Sequence, residues 1–129
     1  MTQRFIKLGE GYGDVYELFT LIESMPNRVE HLLAFHTKKN DQEVTSLAVI
    51  FKPTTQGNFQ PIYICLEGIP KPNDQKSNVR YDQFSKLSEQ LGLTIIDLDV
   101  PPSSTYHEEE LYYQQLTSIL RLNHLLPPL

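Results

Sequence analysis

The chain has 129 residues and a mass of 14.9 kDa, with 11 Lys plus Arg against 16 Asp plus Glu and a formal net charge of −5. At this length one α/β domain is the expectation, and 40% hydrophobic residues with six Phe and seven Tyr supply a core that needs neither disulfide nor metal. No apolar run approaches the roughly 18 residues of a membrane-spanning helix, residues 1–11 lack the apolar stretch of a signal peptide, and the single cysteine, Cys65, closes no internal disulfide, so a cytoplasmic protein away from membranes is expected.

The first helix is expected from Asp14. Asp14-Val15-Tyr16-Glu17 has the form of a capping box, Val15, Leu18, Phe19, Ile22 and Met25 recur at helical spacing, and Pro26 stops the run. Residues 29–37 and 44–51 read as two strands joined by the polar break Lys38-Lys39-Asn40-Asp41, an antiparallel hairpin. Ile62-Tyr63-Ile64-Cys65-Leu66 is apolar at every position, which predicts a central strand covered on both faces. Residues 68–78, with Pro70 and Pro72, read as a connector outside any ladder. A second helix is predicted over 78–91, with Tyr81, Phe84, Leu87 and Leu91 on one face and Gly92 as its left-handed terminator. Residues 93–100 form the next strand. A second capping box, Thr105-Tyr106-His107-Glu108, predicts a third helix running to about residue 123 on Tyr112, Leu116, Ile119 and Leu120. The order is α-β-β-β-α-β-α, a mixed sheet of about four strands with helices on both faces. A short additional strand at 4–8 is a further expectation, as is a parallel βαβ unit joining the third and fourth strands.

Charge narrows the partners. Up to Gln56 the chain carries six bases and seven acids, and beyond it five bases and nine acids. Asp97, Asp99, Glu108, Glu109 and Glu110 follow one another with no Lys or Arg between them, which disfavours a phosphate backbone as partner.

Several motifs bear on chemistry. Gly9, Gly11 and Gly13 precede a helix and invite an anion-binding reading, although Asp14 already occupies the positive end of that helix. Their spacing falls one residue short of G-x-G-x-x-G, and the chain has neither H-R-D nor D-F-G, so kinase chemistry is not expected. Glu67 ends one predicted strand, and Asp97 and Asp99 lie near the end of the next. If those strands are parallel neighbours, the three carboxylates approach one edge of the sheet and suit a hard cation such as Mg²⁺; otherwise they are solvated strand ends. His31, His36, His107 and His124 show no zinc spacing. Tyr112 and Tyr113 with Leu125 and Leu126 form a candidate interface for a second copy or a protein partner.

The segments Val44-Thr45-Ser46-Leu47, Gly57-Asn58-Phe59-Gln60-Pro61, Cys65-Leu66-Glu67-Gly68-Ile69-Pro70 and Leu122-Asn123-His124-Leu125-Leu126-Pro127-Pro128 resemble a small uncharacterised family of Gram-positive bacterial proteins, some labelled methylthioribose kinase. The element order is also similar to the restriction-endonuclease-like fold. That resemblance implies a carboxylate on the second strand, here Asp41 or Glu43, and E-x-K on the third; Glu67 fits, whereas residue 69 is Ile. The expected function is an interaction or regulatory module without catalysis or cofactor, homodimeric or bound to a protein partner. The alternative is a metal-dependent, phosphodiesterase-like or nuclease-like enzyme using Glu67, Asp97 and Asp99 with Mg²⁺.

Overall fold

The computed structural model describes residues 2–9, 14–53, 59–72 and 78–126. Its elements are β1 (Thr2–Gly9), α1 (Val15–Ser24), β2 (Val29–Lys39), β3 (Gln42–Phe51), β4 (Phe59–Pro70), α2 (Val79–Leu91), β5 (Ile95–Asp99) and α3 (Glu109–Leu122), with short 3₁₀ turns at Pro26–Arg28 and Ser103–Thr105. The sheet has five strands in the order β1-β4-β3-β2-β5. β1 pairs parallel with β4 and β5 parallel with β2, while β3 is antiparallel to both of its neighbours. Four strands therefore run one way, and the carboxyl ends of β1, β2, β4 and β5 share one edge with the start of β3.

Two cores sandwich this sheet. On one face, Val15, Leu18, Phe19 and Ile22 of α1 and Phe84 and Leu87 of α2 pack on Leu32, Ala34, Leu47 and Val49. On the other, Tyr112, Leu116 and Leu120 of α3 pack on Leu33, Phe35, Ala48, Ile50, Ile62 and Ile64. The alternation of these residues along β2 and β3 is the two-residue period of a strand buried on both sides.

The differences from the sequence reading have local causes. The additional strand expected at 4–8 is present and longer, as β1 over Thr2–Gly9, so the order gains a β element at its start. It lies at the edge of the sheet, and Arg4 and Lys7 give it the charges that edge strands carry. The central strand is β3, with β4 one place out. β4 and β5 run in the same direction but are separated by β3 and β2, so they are not neighbours. β4 also continues through Pro70. Its pairing with β1 ends at Cys65, and because the Lys71 N–H donates to Glu43 O, the nitrogen of Pro70 faces the vacated side, where no donor is needed.

Both expected capping boxes fail. Asp14 takes helical dihedrals (φ −70°, ψ −16°) and its side chain makes no cap hydrogen bond. At Thr105 the chain makes a 3₁₀ turn, and α3 begins four residues later. Asn78 and Gly92 behave as read: Asn78 Oδ1 accepts from Tyr81 N at 3.0 Å, and Gly92 adopts φ +70°. The hairpin turn is Asn40-Asp41 with φ of +51° and +62°, the pair of left-handed residues a two-residue turn of this twist requires.

Candidate functional site

The site grows from a break in the β3–β4 ladder. Leu47 pairs with Cys65 and Thr45 with Ile69, so Leu66, Glu67 and Gly68 stand opposite Ser46 alone. This bulge forces Glu67 to φ +50°, a left-handed conformation that a residue with a side chain adopts only when its surroundings hold it there. Three contacts do so. The Glu67 N–H donates to Ser46 Oγ at 2.7 Å, and the carboxylate Oε1 accepts from the Ser103 N–H at 3.0 Å and from Ser103 Oγ at 2.8 Å. The other oxygen, Oε2, meets Lys39 Nζ at 2.7 Å. The Glu67 side chain is only 6% exposed and that of Lys39 is 39% exposed. Burial pushes the Glu67 carboxyl upward, but the Lys39 ammonium and the two Ser103 donors together outweigh it and hold the group below the usual carboxylate range.

Beside this pair opens a cavity of about 240 Å³ lined by Lys39, Asn40, Gln42, Val44, Leu66 and Glu67. It lies at the carboxyl edge, where open α/β sheets hold ligands. Two buried hydroxyls belong to the same region: Tyr112 Oη on α3 and Thr37 Oγ1 on β2, two residues before Lys39 and paired with the lining residue Val44. Neither has a hydrogen-bond partner among the described residues. Burial, the charge of Glu67 and the nearby Tyr106 raise the Tyr112 phenol far above its ordinary value, so it remains a neutral donor.

The predicted acidic cluster does not assemble. Glu67 turns to the α3 face, whereas Asp97 turns to the α1 and α2 face, where its Oδ1 lies 2.7 Å from His36 Nε2. The sheet separates them because β4 and β5 are three places apart. Asp99 is exposed at the end of β5. Among the described residues no group of three or more His, Cys, Asp or Glu side chains is placed to hold a metal ion, so the donor set for Mg²⁺ chemistry does not fit.

His36 belongs to a second network that sequence reasoning missed. Its Nδ1 lies 2.8 Å from Thr45 Oγ1, and Tyr81 on α2 reaches Asp97 with a phenol raised by burial, by the charge of Asp97 and by their hydrogen bond. Hydroxyl, imidazole and carboxylate stand in line as in a hydrolase triad, but inside out: Thr45 is fully buried and Asp97 is the exposed end. No substrate carbonyl reaches the hydroxyl, so the network ties β2, β3, β5 and α2 together.

The remaining predicted sites resolve individually. A Cβ at Gly9 would fall 2.6 Å from Asp14 Cγ, so this glycine serves the close packing of β1 on the start of α1; Gly11 and Gly13 lie outside the described residues. Tyr112 and Leu126 are buried in the chain's own α3-face core and are unavailable to a partner, because α3 needs them to seal the sheet. Tyr113 stacks on Phe5 with ring centroids 4.9 Å apart, and Leu125 packs against the same core. The exposed apolar residues of α3 are instead Leu111 and Leu122, at 44% and 79%. No described helix is long and apolar enough to cross a membrane.

Fold and site together define an α/β protein with a mixed five-stranded sheet and a polar cavity at its carboxyl edge. The chain belongs to the family described as a domain of unknown function (DUF7147), which matches residues 1–126. No curated protein and no solved structure matches it.

Proposed function

We propose that this protein is a regulatory binding module without catalysis of its own, and that its ligand site is the carboxyl-edge cavity between Lys39 and Glu67. The observation that carries the reading is the cavity wall itself, which sets the ionised Glu67 carboxylate, anchored by Ser103, beside Lys39 at the carboxyl edge of the sheet. Glu67 suits binding better than acid–base work. Its carboxyl is held ionised and Oε1 is occupied by two donors, so it neither gives nor readily takes a proton near neutrality.

The experiment is a thermal-shift and amide-shift survey with small polar probes, comprising amino acids, amides, sugars and inorganic phosphate. It is run on the native chain and on Val44→Phe, which fills the cavity. The reading expects at least one probe class to perturb residues 39–44 and 66–67 in the native chain and not in the variant. Perturbations confined to other surfaces contradict it.

For the outer face of α3 we propose a second copy of the chain. Leu111 and Leu122 lie 11 residues apart, three helical turns, with uncharged Gln115 and Ser118 between them. Antiparallel two-fold packing then sets Leu111 of each copy against Leu122 of the other, a self-complementary arrangement.

A further inference from the structure

On the face covered by α1 and α2, the sheet is only partly buried where α1 gives way to the β1 edge: Leu8 of β1 and Tyr63 of β4 both pack there without being sealed. Val15, Leu18, Phe19 and Ile22 of α1 turn into the core, so the neighbouring stripe of the helix, Tyr16, Glu17, Thr20 and Leu21, stands at i, i+1, i+4 and i+5 above these two strand residues. Between helix and strands lies a cavity of about 440 Å³ lined by these six residues. Its wall is mostly apolar and aromatic. The Thr20 hydroxyl is committed, donating to Tyr16 O at 2.9 Å. Tyr16 is held as a wall by Arg80, whose Cζ lies 3.7 Å from the ring centroid and whose Nη1 donates to Tyr16 Oη. Glu17 is the one charged residue of the lining; it is exposed and has no ion-pair partner among the described residues.

We propose that this cavity takes a small organic cation whose charge is wrapped in alkyl groups, of the substituted or quaternary ammonium class. Such a cation lays its methyl groups on Leu8 and Leu21, sets its diffuse charge against the tyrosine rings and pairs with the Glu17 carboxylate. Other charge types fit less well. A metal cation needs about six oxygen ligands, and the lining offers one carboxylate. A primary ammonium would turn N–H donors onto carbon. An anion would meet Glu17, with no Lys or Arg in the lining to receive it. That the ring of Tyr16 accepts a cation is visible in the fold itself, where it carries the Arg80 guanidinium; Arg80 reaches it from α2, which lends no residue to the cavity, so Tyr63 and Glu17 remain for the ligand. Size agrees, since about 440 Å³ falls within the range of roughly 300–1,000 Å³ that small-molecule sites occupy. The net charge of −5 draws cations toward the chain. The cavity lies across the sheet from the Lys39–Glu67 site, so failure of either reading leaves the other untouched.

Amide-shift titrations of the full chain test this with three probes of one shape: choline, its neutral isostere in which a tert-butyl group replaces the trimethylammonium, and the tert-butylacetate anion. Choline is expected to shift the amides of Leu8, Glu17, Thr20, Leu21 and Tyr63 in a saturable way, with the neutral and anionic probes at least about tenfold weaker. Glu17→Gln removes the charge from an exposed position, so choline affinity should fall about fivefold while the neutral isostere binds as before and the other amide shifts stay native. Tyr63→Leu keeps an apolar wall without the ring, and it should weaken choline about threefold, again without weakening the neutral isostere. A neutral isostere that matches choline at these residues overturns the proposal, as does a tighter anion. Choline binding that Glu17→Gln leaves unchanged, or no saturable shift from choline at these residues, overturns it equally.

Discussion

Glu67 and Ser103, 36 residues apart, are joined by two hydrogen bonds to a single carboxylate oxygen, at 3.0 and 2.8 Å. That contact fastens the β4 bulge to the turn after β5 and fixes the orientation in which the other oxygen meets Lys39. Glu67→Ala removes the acceptor from both Ser103 donors and from Lys39. It should lower unfolding free energy by about 2–3 kcal/mol in urea titrations, with the half-exposed Lys39 keeping the cost below that of a fully buried pair.

The same residue sets an acid limit. The Glu67 carboxyl titrates below its unfolded value near 4.5, so its contribution to stability is complete above that pH and is lost as pH falls through the lower folded value. Thermal unfolding followed from pH 7 to pH 3 should show this loss. Glu67→Gln, which cannot ionise, should start less stable and decline less steeply over that window.

Tyr112→Phe tests the energetics of the buried phenol. The hydroxyl is buried without a hydrogen-bond partner among the described residues, so deleting it at nearly constant volume should leave stability unchanged or raise it by about 1 kcal/mol. Destabilisation by more than about 1 kcal/mol would show instead that the hydroxyl is satisfied within the fold.

His36 and Thr45 should be energetically coupled. Thr45→Val and His36→Leu each strand one buried partner, whereas the double variant strands neither, so a double-mutant cycle should return a coupling of about 1–2 kcal/mol.

The outer face of α3 makes a separate demand. If Leu111 and Leu122 meet across a two-fold axis, sedimentation velocity should show a concentration-dependent dimer that Leu122→Lys abolishes without loss of helicity. A monomer at all concentrations removes that proposal and leaves the cavity untouched.

What the sequence disclosed follows from the range of the interactions involved. The α2 helix was legible because Asn78 and Gly92 act through their own backbone neighbours, and the hairpin because Asn40 and Asp41 lie together at the turn. Asp14 and Thr105 misled because tertiary packing decides the local dihedrals: Asp14 packs against Gly9, and the turn after β5 is held by Glu67. The candidate site was half legible. Glu67 reads as a strand-end acid, but Asp97 and Asp99 become its partners only if β4 and β5 adjoin, which they do not. Lys39 and Ser103 carry no local signal, since strand order, which no short-range pattern encodes, is what brings them to Glu67.

The central claim is that the Lys39–Glu67 cavity binds a ligand, and amide-shift mapping of the native chain with the small polar probes tests it most directly. The account predicts saturable shifts from at least one probe class, centred on Lys39, Asn40, Gln42 and Glu67, that vanish in Val44→Phe. Shifts centred instead on the α1 surface around Tyr16 and Leu21, or persisting unchanged in Val44→Phe, would contradict it.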